Sequence, residues 1–247
     1  MLNRNLMIVN QIDVNTKFED GVVLVIDKPY KWTSFDVIRK IQAMLKHNLG
    51  YKKIKIGHAG TLDPLATGLL VVCIGKATKQ IEKLQAQEKE YIANVRFGAT
   101  TPCFDLEKPV DVEYPYEHIT RESVEAVLPQ FLGVQDQIPP LFSAKLVDGV
   151  RAYELARGGV DMELKPNKVE IKEISVLNYA GRDVDFLVKC SKGTYIRALA
   201  RDLGLALDSG AHLTGLRRTA NGVFRVEDAL SMEKVENIFN ELKQLRE

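Results

Sequence analysis

Cysteine is scarce and poorly placed for cross-linking: the 247 residues contain three, Cys73, Cys103 and Cys190, an odd number spread far apart. That excludes a disulfide framework and a Cys-x-x-Cys metal knuckle, and it suits a chain folded in a reducing cytosol. Long apolar runs are missing as well. The longest, residues 69–74, falls far short of the roughly 20 residues a membrane helix needs, and the first twenty residues lack a basic start followed by an apolar core. The expectation is a soluble, untargeted, cytoplasmic protein. An excess of charge of one sign is also absent: the net charge is +1, which argues against a protein held to nucleic acid by its overall charge. No internal repeat or low-complexity tract is present. What the chain does have is 45% hydrophobic residues, ample for one large domain or for one domain with a small subdomain.

The near-zero total hides segregation. Residues 27–100 carry thirteen Lys/Arg against six Asp/Glu, residues 189–225 seven against two, and residues 101–136 reverse the sign with two against eight. Such runs can be solvated faces; if the two basic segments meet in space, they form a polyanion-binding cleft with an acidic lobe held away from it. Residues 1–20 have no clear period and are expected to lie over the surface as a leader. Residues 21–26 are a β-branched run that predicts a buried strand, ended by a turn at Asp27-Lys28-Pro29. Thr33 and Asp36 have capping-box spacing before a stripe of Val37, Ile38, Ile41, Met44 and Leu45. Lys52, Lys53 and Lys55 either line the path of a phosphate backbone or keep an exposed turn soluble.

Gly57-His58-Ala59-Gly60-Thr61-Leu62-Asp63-Pro64-Leu65-Ala66-Thr67-Gly68 has the dress of a functional loop: three glycines for tight turns, and an imidazole and a carboxylate between apolar segments. Asp63-Pro64 has an alternative reading, since Asp is a good N-cap and Pro is favoured at the first helical position. A metal held by His58 and Asp63 has no evident third ligand, so no metal is expected. Gly75-Lys76-Ala77-Thr78 fails as a phosphate loop, because Leu70 stands five before Gly75 and Ala77 follows Lys76. Residues 77–84 predict a short basic helix. In residues 91–97 Tyr91, Ala93, Val95 and Phe97 share one strand face, where a tyrosine is commonly a core residue with its hydroxyl at the surface. A helix is expected from Thr120, closed by Gly133. Residues 168–177 and 183–190 alternate like paired strands. They lead to a helix buried through Leu199, Ala200, Leu203 and Leu207, on which Arg197 and Arg201 lie four apart and could serve surface solubility. Asn221-Gly222 signals a hairpin.

Three stretches together resemble the TruB family of tRNA pseudouridine synthases: the loop at residues 57–68; the Pro-rich Ile138-Pro139-Pro140-Leu141-Phe142-Ser143-Ala144-Lys145 with the Tyr-Glu and Ala-Arg helix of residues 149–158; and Cys190-Ser191-Lys192-Gly193-Thr194-Tyr195-Ile196-Arg197. The resemblance spans about residues 21–226. It departs at Phe142, where a tyrosine is common, and at Lys145, one place before the usual lysine, with Leu146 in that lysine's place.

What the resemblance implies is an α+β fold with a central mixed, largely antiparallel sheet flanked by helices, the pseudouridine synthase fold. Residues 21–226 would form the catalytic domain, with 101–160 an appended lobe and RNA clamp and 227–247 a short helical tail without a further RNA-binding domain. It implies an isomerase that flips the T-loop uridine of tRNA, position 55 in tRNA numbering, and converts it to pseudouridine without a cofactor. Asp63 would be the catalytic carboxylate, Arg197 its partner, and Tyr91 the ring that stacks on the base and takes a proton at the end. His58 would occupy the space the base vacates, and Lys28, Gly60, Thr61, Tyr195, Leu216, Arg217 and Arg218 would bind substrate, the last three shaping the wall and basic rim. The expected partner is the tRNA T arm, with no membrane and no obligate protein. Two other readings stay open: a guide-RNA-dependent relative of the dyskerin type, and a non-catalytic tRNA-binding or folding factor.

Overall fold

The computed structural model describes residues 7–8, 12–142, 146–147, 150–151 and 164–246. In chain order its strands are β1 (Met7–Ile8), β2 (Val22–Lys28), β3 (Ile56–His58), β4 (Ala66–Ile74), β5 (Lys89–Phe97), β6 (Ala99–Thr100), β7 (Val112–Glu113), β8 (Gly133–Gln137), β9 (Leu146–Val147), β10 (Val150–Arg151), β11 (Asn167–Ala180), β12 (Asp183–Cys190), β13 (Ala211–Asn221) and β14 (Phe224–Arg225). The helices are α1 (Ser34–Leu49), α2 (Ile81–Gln85), α3 (Arg121–Val127), α4 (Ile196–Ala206) and α5 (Met232–Arg246). The chain forms two compact units: residues 1–89 with 217–247, and residues 90–216. Most of the expected clamp segment, including Lys145, lies outside the described residues, as does much of the leader.

In the first unit β2 pairs antiparallel with β4 over seven residues, from Val22 opposite Ile74 to Lys28 opposite Gly68. Both strands are buried on both faces, as their unbroken apolar runs predict. One face is covered by α1 and α5, with Leu24, Ile26, Leu70 and Val72 packed under Val37, Ile41, Leu45, Val235 and Phe239. The α1 stripe is the expected one, and its capping box is formed, with Thr33 and Asp36 each capping the other's backbone. The expected turn at Asp27 comes two residues late, because the strand continues through Lys28 and the turn closes where Trp32 N–H reaches Pro29 O. The leader is not confined to the surface: Phe18 is fully buried, edge-on to Tyr51 at 5.7 Å and tilted against Phe239 at 5.6 Å. The expected basic helix at 77–84 divides into a 3-10 segment, Gly75–Gln80, and the short α2. Asn221-Gly222 does form the hairpin between β13 and β14, with Gly222 at φ 58.

In the second unit β11 and β12 pair antiparallel, and β8 adds to the other edge of β11 with Gln137 opposite Asn167. A strand from the expected acidic lobe thus belongs to this unit's sheet. Alternation in β5 and β12 turns Ala93, Val95, Phe186 and Val188 toward Ile196, Leu199, Ala200 and Leu203 of α4. The helix expected from Thr120 begins there, with Thr120 as its N-cap, but is α-helical only to Val127, with a 3-10 turn from Leu128 to Phe131, since Pro129 offers no N–H to continue it.

Candidate functional site

Asp63 caps nothing. Ala66 N–H donates to Asp63 O at 3.1 Å, closing a turn that enters strand β4 instead of a helix. The N-cap alternative is therefore overturned, and the carboxylate stands half-buried on a loop.

What holds that loop is its own backbone. Six successive carbonyls each accept a hydrogen bond. Ala59 O accepts from Asn221 Nδ2 at 3.2 Å, Gly60 O from Arg218 Nη2 at 3.0 Å and Thr61 O from Arg218 Nη1 at 3.4 Å. Leu62 O accepts from Ser34 Oγ at 3.1 Å, Asp63 O from Ala66, and Pro64 O from Lys28 Nζ at 3.2 Å. Ser34 Oγ also accepts from Leu62 N–H at 2.8 Å, so one hydroxyl secures both ends of that residue. A segment without regular ladders must satisfy buried backbone groups elsewhere, and charged donors make the stronger bonds. One glycine lets the strand that carries Arg218 approach. Gly68 has φ 97, and a Cβ there would lie 2.3 Å from Arg218 O, so glycine alone allows β13 to run this close.

The electrostatics follow from that construction. Lys28 is fully buried, its ammonium shared among the carbonyls of Pro29, Trp32 and Pro64. Burial pushes its pKa down to about 8 against the opposing pull of the Asp63 carboxylate. Arg218 is 1% exposed, with Nε on Leu69 O at 2.7 Å in addition to the two loop carbonyls. Burial and the Arg218 charge lower the His58 pKa, opposed by a backbone hydrogen bond with Gly60; its buried Nδ1 has no hydrogen-bond partner among the described residues. Arg217 forms a bidentate pair with Asp27, at 2.7 and 3.0 Å. Lys28 and Arg218, expected to bind substrate, are thus inside the unit with their donors committed to backbone. Arg218 is no part of a surface rim. Gly60 is partly exposed and Thr61 exposed.

The second unit carries the other expected residues. Tyr91 is buried on the apolar face of β5, while Tyr195 and Leu216 are half-buried. Arg197 is no solubility residue: it is 5% exposed, with Nη1 on Cys103 O at 3.1 Å, Nη2 on Phe142 O at 2.9 Å, and Nε 3.5 Å from the Asp105 carboxylate. Asp105 is itself held by Cys103 Sγ–H at 3.0 Å and by Glu107 N–H at 2.9 Å. Gln137 grips both backbone groups of Tyr195, the N-cap of α4, and so sets where the helix that bears Arg197 begins. Arg201 is tied to Asp202 at 2.8 Å and Ile138 O at 3.0 Å. Ser34, Asn221, Asp105 and Gln137 escape the sequence reading; Asn221 shows only as a turn residue, and Asp105 carries no local signal. Among the described residues no group of three or more His, Cys, Asp or Glu is placed to hold a metal ion.

Comparison with known proteins places these residues in context. The family described as TruB family pseudouridylate synthase (N terminal domain) matches residues 46–196, and the tRNA pseudouridylate synthase B C-terminal domain matches 197–247. The chain is 57% identical over 233 residues to the tRNA pseudouridine synthase B of Phocaeicola vulgatus, covering 91% of this chain and 99% of that protein. It is 51% identical to its counterpart in Flavobacterium johnsoniae, over 87% of this chain and 95% of that one. Among solved structures, a chain of a Cbf5–Nop10–Gar1 complex superposes with a TM-score of 0.72 at 28% identity, over 96% of this chain but only 60% of the longer one.

Proposed function

Because this chain belongs to the TruB family of pseudouridylate synthases, we propose that it isomerises the T-loop uridine of tRNA, at position 55 in tRNA numbering, to pseudouridine. The N1-glycosidic bond breaks, the base turns, and a C5–C1′ bond replaces it while C5 loses a proton and N1 gains one. Atoms and electrons balance within the nucleoside, so no oxidant, group donor or cofactor is required.

Cleavage of a glycosidic bond builds positive charge on the sugar, and a carboxylate aimed at the anomeric region stabilises or attacks it. We assign that carboxylate to Asp63. One acid suffices where a glycosidase uses two, because uracil leaves as a delocalised anion. The base must be unstacked to be reached, at a cost of a few kcal/mol that stacking on Tyr91 offsets. Tyr91 also takes the C5 proton at the end. To Arg197 we assign the role of orienting cation, and its bonds to Cys103, Asp105 and Phe142 support that role by fixing the guanidinium. His58 fills the space the base leaves, and burial favours its neutral form. Gly60 and Thr61 line the loop, Tyr195 and Leu216 exclude water that would otherwise trap the activated sugar, and Arg217 meets phosphate at the edge. Lys28 and Arg218 serve substrate indirectly, by holding the loop.

The observation that carries this reading is the run of six engaged carbonyls beneath an acid that caps no helix. A site on a rigid support is what transition-state electrostatics demands. The test is to incubate purified protein with unmodified tRNA transcript, without metal, nucleotide or guide RNA, and to map pseudouridine by chemical labelling. Wild-type protein labels the T loop, whereas Asp63→Asn does not and keeps its tRNA affinity. Labelling only when a guide RNA is added would move the protein to the dyskerin type, no label under either condition would leave a tRNA binder, and an active Asp63→Asn would acquit the residue.

A further inference from the structure

The turn and helix that follow β2 carry a stripe of side chains the fold leaves unused. Tyr30 is 52% exposed and Phe35 57%. Each has a cation over its ring: Lys31 Nζ is 5.7 Å from the Tyr30 centroid, and the Arg39 guanidinium carbon is 4.7 Å from that of Phe35. Phe35, Arg39 and Lys46 recur at helical intervals on the exposed face of α1, opposite the stripe that enters the core. Among the described residues none of Lys31, Arg39 and Lys46 has an ion-pair partner, while Lys40, on the flank facing α5, pairs with Glu236 at 2.9 Å. The one acid in this run, Asp36, is occupied by the capping box.

A face kept only for solubility needs no large rings. Two features tie this one to the catalytic loop. Lys31 sits at φ 67, a left-handed conformation unfavourable for a residue with a side chain, and the turn is gripped by Lys28 through Pro29 O and Trp32 O. The same ammonium holds Pro64, and Ser34, next to Phe35, holds Leu62. The stripe therefore starts where the anchors of the Asp63 loop lie.

Cations beside exposed rings are the chemistry that takes a backbone phosphate together with an unstacked base or ribose. Resting on the pseudouridine synthase reading, we propose that Tyr30, Lys31, Phe35, Arg39 and Lys46 form a second RNA contact, which grips tRNA outside the target nucleotide as the strand leaves the catalytic loop.

The test compares Arg39→Glu/Lys46→Glu and Tyr30→Ala/Phe35→Ala with a charge-matched reversal on α5, Lys234→Glu/Lys243→Glu. The affinity for unmodified tRNA is measured across a salt series in an Asp63→Asn background, with KM and kcat measured in the active protein. The reversal on α1 weakens binding by about tenfold or more near physiological salt and lowers the slope of log affinity against log salt by about two. The aromatic pair weakens binding by about tenfold with little change in that slope, and both losses fall in KM. Affinities equal to those of the α5 reversal, or a loss confined to kcat, overturn the contact. A wild-type protein that labels the T loop while both stripe variants bind normally sinks this proposal alone; one that fails to label it, yet loses tRNA with the stripe, sinks the isomerase reading and keeps the contact.

Discussion

Replacing Ser34 with alanine removes one oxygen and two of the loop's restraints. Ser34 is 2% exposed and Leu62 3%, so the freed Leu62 N–H and C=O would have no ready access to water. A buried donor or acceptor left without a partner costs about 1–3 kcal/mol, so the pair costs about 2–4 kcal/mol after partial relaxation. For a chain of this size that corresponds to a fall in Tm of about 10 °C. The kinetic effect is separate. A misplacement of about 1 Å at a reacting group costs about 100-fold in rate, and Leu62 is the residue immediately before Asp63. Because Ser34 is buried, affinity for tRNA does not change. The expected Ser34→Ala enzyme, assayed well below its Tm, therefore has kcat down about 100-fold and KM near wild type, while Ser34→Thr, which keeps the hydroxyl, recovers most of kcat. A Ser34→Ala enzyme with wild-type kcat would refute the argument that this hydroxyl positions the acid.

Lys28 gives a pH-dependent prediction. Below about pH 8 its ammonium is charged both folded and unfolded, and the cost of burying it is fully present; between about pH 8 and the ordinary lysine value the unfolded chain holds a proton the folded chain has released, so stability rises with pH. The gain is at most about 3 kcal/mol, read as the difference in urea unfolding between wild type and Lys28→Met from pH 7 to 10.5, and a difference independent of pH contradicts the depressed pKa. Gly68→Ala combines a backbone collision with a positive φ and should fail to fold cooperatively. Gly50→Ala, at φ 77 with nothing within 4 Å of the new methyl, should cost only about 1 kcal/mol; equal melting temperatures for the two would show that β13 does not approach Gly68 as described.

Legibility in the sequence tracked the distance over which each interaction acts. The α1 capping box, the alternation of β5, the β11–β12 pair and the Asn221-Gly222 hairpin are all local patterns, and all of them formed. Asp63-Pro64 was ambiguous at short range because the same dipeptide starts helices and turns; only pairing of the following residues with β2 decides it. Lys28, Ser34 and Arg218 join the loop across 36, 28 and more than 150 residues, so no window of sequence could show whether their polar groups face RNA or backbone. Burial of Phe18 is hidden for a related reason: a lone aromatic in a polar stretch has no period, yet Tyr51 and Phe239 pack against it from far along the chain. Asp105 and Gln137 are matched to α4 only by the folding of their unit.

A loop fastened through its main chain leaves its side chains out of the bargain. Thr61 and Leu65 could drift in evolution, or be rewritten to retune which nucleotides are accepted, without loosening the acid they flank. The constraint falls instead on four distant donors, Lys28, Ser34, Arg218 and Asn221, none of which needs to meet the RNA. Intolerance to mutation thus extends beyond the groups that act on the nucleoside, and a scan of fitness across this protein should find these four donors as intolerant as Asp63 itself.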